Sequence, residues 1–362
     1  MVAVAAFLVY IYDNLLANLR QLDISTSFDF LEQAAGFRIQ DTDFSPGETV
    51  LNAFVAGFRN TVIIALAGNV LTLILGTLIG IARLSSNWLV AKAAAVYVEV
   101  FRNIPPLLVI IFVNTALLVT LPAIDEASPL GGVLVLSVGE NGVVWLRDGG
   151  GAGAYIIILA TAIVAAVALR WVLGRREDRL GQPQHKSLAA AAMVTAIATA
   201  GYVALDAPVV ASRPEIVGLQ IEGGLSMSLP FVAVLVGLVL YTASHVAEIV
   251  RGSILAVPRG QTDAARSVGL STTQRLRYVL LPQAFRIATP PTINQFLNLS
   301  KNTSLGIAVG YAEAMFVTRT VIGNGNPAVQ SIVVVMGFYL VLSLAISLVS
   351  NIANRRLQLV ER

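Results

Sequence analysis

Apolar positions in this chain fall in long uninterrupted runs rather than in alternation. Eight such runs lie at approximately 2–22, 50–82, 92–121, 154–174, 187–206, 229–250, 286–310 and 328–352. Crossing about 30 Å of hydrocarbon takes roughly twenty helical residues, and most of these runs reach that length. Backbone groups in lipid must be satisfied within the protein, so only helices or closed barrels span a bilayer. Continuous runs, in place of alternating segments of about ten residues, select helices. The pattern predicts an all-α polytopic membrane protein with about eight transmembrane helices. The first run is the weakest. Its wholly apolar part, Val2–Tyr12, is eleven residues, and Asp13, Asn14, Asn18 and Arg20 follow. Either the polar half packs against protein or an upstream part of this helix is missing.

The polar segments between the runs set the orientation. Segments 83–92, 175–186, 251–286 and 353–362 carry fifteen of the 24 basic residues, and the alternate set 23–48, 122–153, 207–228 and 311–327 carries four. Lys and Arg concentrate on the cytoplasmic side, which predicts cytoplasmic termini. The acids Asp23, Asp29, Asp41, Asp43, Asp125, Glu126, Asp148 and Glu222 then face outward. Segment 23–48 interleaves Phe28, Phe30, Phe37 and Phe44 with acids, as an amphipathic segment on the membrane or as a small packed cap. Segment 128–153 is rich in glycine, which predicts flexible turns between short strands.

Composition narrows the chemistry. The 362 residues are 56% hydrophobic and 12% charged, with mean hydropathy +0.77, whereas soluble domains are about a quarter charged. A net charge of +3 argues for topology rather than for nucleic acid. The absence of cysteine removes disulfides, thiolate metal sites and cysteine nucleophiles. With only His185 and His245, a multi-histidine metal site is not expected. No Gly-x-x-x-x-Gly-Lys-Ser/Thr loop occurs, so any ATP that drives this chain binds another subunit.

Residues 251–286 form an unusually long basic insert between two apolar runs. Gln261, Thr262 and Asp263 suit the first turn of a short helix, where a carboxylate complements the dipole. Ala264 and Ala265 permit close approach of a partner, and Gly269 suits a left-handed terminator. Ser271 or Thr272 can cap a second helix, Thr273–Leu281, ending before Pro282. The expected product is a projecting two-helix knob. An ordinary interfacial amphipathic loop is the alternative.

Asp263-Ala264-Ala265, Gly269 and Val279-Leu280-Leu281-Pro282 at this spacing resemble the Glu-Ala-Ala loop of bacterial ABC-importer permeases. Residues 241–252 (YTASHVAEIVRG), Gly260-Gln261, Leu281-Pro282-Gln283-Ala284, Pro290-Pro291, 299–305 (LSKNTSL), Arg59-Asn60-Thr61 and 97–105 (YVEVFRNIP) resemble the polar-amino-acid branch. Arg83-Leu84-Ser85 and Asn87-Trp88-Leu89 are similar to its long subgroup for general L-amino acids or glutamate, glutamine, aspartate and asparagine. The resemblance implies a five-helix type I permease core, formed by the second, third, sixth, seventh and eighth runs, plus three extra helices. It divides the chain into an N-terminal helix and outer acidic segment (1–48), a first core part (49–121), an insertion with two extra helices (122–228), a second core part with the coupling loop (229–352) and a cytoplasmic tail (353–362). It implies that Asp263, Ala264, Ala265, Gly269 and Pro282 couple the chain to nucleotide-binding ATPase subunits. ATP and magnesium are expected there, and no cofactor is expected in this chain. A second related permease subunit, in a heterodimer, a periplasmic amino-acid-binding protein, a polar L-amino acid substrate and the bacterial inner membrane complete the implied setting. The chain departs from the family at Asp263, where Glu is usual, at Val109, where a pathway glutamine is usual, and at Pro230, where Glu is common.

Polar groups at bilayer depth are candidates for function because each is costly unless paired or hydrated. Asn294, Asn298 and Lys301 follow i, i+4, i+7 spacing on one helical face, with Gln295 and Asn302 beside it. They can line a substrate pathway, with Lys301 receiving a carboxylate. They can equally glue helices across a subunit interface, with Lys301 paired to Glu99 or Glu313. Glu99 with Arg102, and Glu248 with Arg251, have i, i+3 spacing and are expected to form ion pairs, the first near a gate and the second before the coupling loop. His245 is expected to be a satisfied core residue and His185 to be solvated. An ion-gradient-driven secondary transporter and a scaffold permease subunit that does not touch substrate are the alternative readings.

Overall fold

The computed structural model describes residues 2–21, 27–39, 42–181 and 185–357. Asp23, Asp41 and Arg362, used above for orientation, lie outside the described residues. In chain order the elements are α1 (Val2–Gln21), α2 (Val50–Ala82), α3 (Trp88–Asn103), α4 (Pro106–Phe112), β1 (Leu134–Val135), β2 (Glu140–Val143), β3 (Trp145–Asp148), α5 (Ala152–Leu180), α6 (Lys186–Ala204), β4 (Val209–Ser212), β5 (Glu215–Val217), β6 (Gln220–Glu222), β7 (Leu225–Ser228), α7 (Leu229–Leu255), α8 (Arg259–Ser267), α9 (Thr272–Arg275), α10 (Leu281–Asn302), α11 (Ala314–Gly323) and α12 (Ala328–Leu357). They form two compact units, Met1–Thr120 with Ser228–Arg362, and Leu121–Met227.

Among the described residues five helices are long and apolar enough to cross a membrane: α2, α5, α6, α7 and most of α12. Two bent helix pairs raise the number to seven. The expected single span 92–121 is one of these pairs, since the chain turns by 107° between α3 and the helix beginning at Pro106. The cause is local. Pro105 and Pro106 lack amide donors and push the residues before them out of the α region, and Ile104 is extended at φ −99°, ψ 132°. The expected span 286–310 is also longer and bent. Helical turns run from Thr272 to Val309, and α11 follows at 46°.

The first unit is built on the contact of α2 with α7. Thr49 caps α2 by accepting from the Asn52 amide at 3.2 Å, and Ser228 caps α7 by accepting from the Phe231 amide at 3.2 Å. Pro230 falls in the first turn of α7, where its missing donor costs nothing. Glycines on α2 set the helix separation. A Cβ on Gly76 would stand 2.7 Å from the Val246 side chain, and one on Gly80 would stand 2.7 Å from the Ala247 carbonyl oxygen. Gly57 meets Val317 of α11 in the same way, and Gly237 of α7 meets Ile110 of α4. Small residues of this kind let helices associate in lipid, where apolar burial gives no net drive.

The described part of segment 23–48 is a packed cap. Phe30, Ala35 and Ile39 are buried against Val50, Ala53, Phe54, Ala312, Val317 and Val321. Phe37 and Phe44 pack at its edge with ring centroids 6.1 Å apart, and Phe28 is exposed.

The second unit corrects the all-α expectation. Segments 122–153 and 207–228 form three small sheets: β1-β2-β7 and β3-β4 join the two segments, and β5-β6 is a local hairpin. Trp145 is opposite Ser212 and Asp148 opposite Val209 in the antiparallel β3–β4 pair. Asp148 then accepts from the amides of Gly150, Gly151 and Ala152 at 2.8–3.0 Å, starting α5. Those amide donors hold its carboxyl below the usual range. The hairpin of α5 and α6 closes through Gly201 against Ile158, the Tyr155 hydroxyl donating to the Ala198 carbonyl at 3.1 Å, and Lys186 paired with Glu177 at 3.0 Å.

Gly80→Ala is expected to destabilise the first unit by about 1–3 kcal/mol, because the new methyl meets backbone that cannot move alone. Gly252→Ala, where a Cβ meets nothing within 4 Å, should be neutral or slightly stabilising. Thermal unfolding of the two variants in the same detergent measures the difference.

Candidate functional site

The polar insert is continuous with the membrane helices on both sides. α7 ends at Leu255, and three residues ending in Pro258 separate it from the start of α8. It starts at Arg259, two residues before the position expected from sequence. Asp263 therefore sits in the second turn instead of capping the dipole. It is exposed, 3.9 Å from Arg266. Ala265 is buried on the inner face, whereas Asp263, Ala264, Arg266 and Ser267 are exposed, and Val268 just beyond the helix is 75% exposed. Gly269 terminates the helix at φ +75°, and its amide donates to the Arg266 carbonyl at 2.9 Å. A left-handed residue here favours glycine.

Ser271 forms a capping box with Gln274. The helix that follows does not stop before Pro282, as expected from sequence. It passes through a π-helical turn, Leu276–Leu280, into α10, and Pro282 lies in the first turn of α10. Proline cannot donate to the preceding turn, and a wider turn with the Leu281 amide donating to the Leu276 carbonyl carries the chain past it. Gln283 of α10 donates to Gln261 of α8 at 3.2 Å. The knob is thus a short helix braced on the base of a long one.

Glu248, two turns before the end of α7, accepts from Arg251 Nε at 3.2 and 3.1 Å and pairs with Arg83. The i, i+3 pair is formed, and the sequence reading missed its third member. Arg83 terminates α2, 165 residues away in the chain, a separation at which spacing gives no local signal of pairing. The pair expected between Glu99 and Arg102 is absent among the described residues. Both side chains are exposed, so solvation replaces pairing, and the Asn103 amide side chain donates to the Glu99 carbonyl at 2.7 Å. His245 packs edge-to-face on Tyr241 with ring centroids 4.8 Å apart, but its Nε2 is buried with no partner among the described residues. It is not the satisfied core histidine expected.

On α10, Asn294, Asn298 and Lys301 are exposed on one face, Gln295 and Asn302 are half-buried beside it, and Thr292, Leu299 and Ser300 are buried on the other. Pro290 and Pro291 lie inside the helix. Lys301 has no carboxylate within 4.0 Å among the described residues. Neither of its expected partners is engaged with it. Glu313 is fully buried, capping α11 by accepting from the Met315 and Phe316 amides at 2.8 Å each and from the Tyr339 hydroxyl at 2.9 Å. Val109 is buried with Val113 and Ala233, so this position is core in the described unit. A further buried group joins α2 to the bend before α11. The Asn60 amide donates to the Ala312 carbonyl at 2.9 Å, Thr61 accepts from the Ala314 amide at 3.0 Å, and the Tyr311 hydroxyl donates to the Asn60 carbonyl at 3.2 Å. Two adjacent polar residues at bilayer depth were the available signal for it.

Comparison with known proteins identifies relatives along the whole chain. A putative amino-acid ABC transporter permease protein of Escherichia coli K12, YhdX, is 36% identical over 364 residues, covering 100% of this chain and 93% of the relative. The general L-amino acid transport system permease protein AapQ of Rhizobium johnstonii is 37% identical, covering 100% of this chain and 91% of the relative. A solved structure described as an amino acid ABC transporter with histidines shares the fold, with a TM-score of 0.51 at 17% identity, over 84% of this chain and 94% of that one. The family model for the binding-protein-dependent transport system inner membrane component matches residues 68–359, which take in both α2–α7 packing and the α8 knob. The chain belongs to that family.

Proposed function

We propose that this chain is the membrane-spanning permease subunit of an ATP-driven importer of polar L-amino acids, and that it performs no bond chemistry itself. The observation that carries the reading is α8, a short helix with an exposed outward face, held at one end by α7 and braced on α10 through Gln261 and Gln283. A force on α8 enters two membrane helices directly. Coupling of this kind needs an element that both sites bias, and the α7–α8–α10 segment is that element. ATP and magnesium act on separate nucleotide-binding subunits seated against Asp263, Ala264 and Val268. An amino-acid-binding protein delivers substrate from outside, a related permease chain completes the pathway as a heterodimer, and both termini face the cytoplasm of a bacterial inner membrane. The name of AapQ points to L-amino acids as the class of cargo. The exposed stripe Asn294, Asn298 and Lys301 supplies amides and one cation for an amino acid carboxylate.

Asp263→Lys combined with Gly269→Pro should abolish ATP hydrolysis linked to uptake while the chain still inserts in the membrane. Hydrolysis at the wild-type rate in the reconstituted complex would overturn the coupling role. Lys301→Ala should lower uptake at least about tenfold with the ATPase still assembled, the loss expected for one charge-assisted contact. Unchanged uptake kinetics would return Lys301 to a structural role. Glu248→Gln releases Arg83 and Arg251 together, so import per ATP hydrolysed should fall while basal hydrolysis persists, as read from paired uptake and phosphate-release assays.

A further inference from the structure

Helix α5 is longer than a bilayer needs. Its 29 residues span about 43 Å at 1.5 Å per residue, and roughly the first twenty, ending near Trp171, suffice for the hydrocarbon. Past Trp171 the helix carries Arg175, Arg176 and Arg179, all exposed. Trp171, Arg175 and Arg179 follow i, i+4, i+8 spacing and form one stripe, with Arg176 at its border. The Arg175 guanidinium lies 3.7 Å from the centroid of the Trp171 ring. Two acids share this turn. Glu177 pairs with Lys186 of α6 at 3.0 Å, and Asp178 is exposed beside the stripe, but none of the three arginines has a carboxylate within 4.0 Å among the described residues.

Loop charge that only orients a helix needs no tryptophan ring packed against it. The positive-inside bias counts charges and is indifferent to which face they occupy. Here an interfacial tryptophan holds one guanidinium flat, and two more stand within a turn of it. Stacking occupies the face of a guanidinium and leaves its N–H edge free for bidentate contact with phosphate. The apolar length of α5 directly above is almost wholly exposed, so acyl chains adjoin this turn. Clusters of arginine just cytoplasmic of a membrane helix attract anionic headgroups, and interfacial tryptophan sits at the same depth.

We propose that the cytoplasmic end of the α5–α6 hairpin is a binding site for an anionic phospholipid, with the phosphate held by Arg175, Arg176 and Arg179 over Trp171. The site rests on the membrane orientation adopted above and on none of the transport chemistry. Native mass spectrometry of the assembled complex, released from nanodiscs of phosphatidylethanolamine with or without phosphatidylglycerol, tests it. The wild type should retain phosphatidylglycerol selectively. Arg175→Gln/Arg176→Gln/Arg179→Gln should lower that retention at least about tenfold. Where loss of three charges prevents insertion, Trp171→Leu/Arg175→Gln removes the stacked pair and a single charge, and retention should fall several-fold. Retention equal to wild type in either inserted variant overturns the site. Loss of the ATPase subunit from the complex, with phosphatidylglycerol retained, overturns it in favour of a protein contact. No transported substrate enters the measurement, so failure of the import reading leaves its outcome unaffected.

Discussion

The close approach of α2 to α7 is the contact on which the first unit depends. In lipid, two apolar helices gain little by hiding from solvent that is as apolar as they are, so association rests on packing and polar contacts. Gly76 and Gly80 supply the packing, because any side chain there would strike Val246, Val250 or the α7 backbone. The same pair is tied by Arg83 at the end of α2 and Glu248 near the end of α7. Glycines along the contact and charges at its end make the two helices one body. α4, α10 and α11 all pack on that body, α4 through Ile110 on Gly237 and α11 through Val317 on Gly57.

A rigid pair of helices gives the polar insert something to act on. α8 leaves the end of α7 after three residues and is stitched back to α10 by a single amide contact. α10 is less uniform. It enters through a π-helical turn, contains two prolines and ends in a tight turn before the bend to α11. Irregular backbone at membrane depth is tolerated where it is packed in protein, and Ala284, Thr292, Leu299 and Ser300 pack one face of this helix. Buried Glu313, Asn60 and Thr61, with half-buried Tyr339, secure the bend, while Asn294, Asn298 and Lys301 of α10 stay exposed.

Much of this was legible in the chain itself. Run length identified the helices α2, α5, α6, α7 and α12, since hydrocarbon thickness sets a scale that local sequence must meet. Gly269 and Ser271 marked the end of one helix and the start of the next through their own backbone preferences. Elsewhere local signals misled. Pro282 looked like a stop and is carried inside a continuous helical path by a π turn. Glu99 and Arg102 have the spacing of a pair and remain apart, because exposed charges gain little by pairing. Short strands were expected in the glycine-rich segment 128–153, and β1 and β2 pair locally there, but the pairing of β3 with β4 and of β2 with β7 joins segments far apart in the chain.

The sequence by itself determined that the chain is a helical membrane protein, that its basic residues concentrate in alternate connecting segments, and where a helix-terminating knob interrupts the spans. These properties follow from hydropathy, charge asymmetry and backbone preference, each of which acts over a few residues. Only the tertiary structure decided that Arg83 closes on Glu248, that Phe30 and Ile39 form a cap over α2, that β3 pairs with β4, and that Lys301 stands without a carboxylate among the described residues. Each of these joins or separates groups by the path of the whole chain. No local preference encodes that path, because it emerges from which glycine faces let helices meet and which polar groups must then find partners.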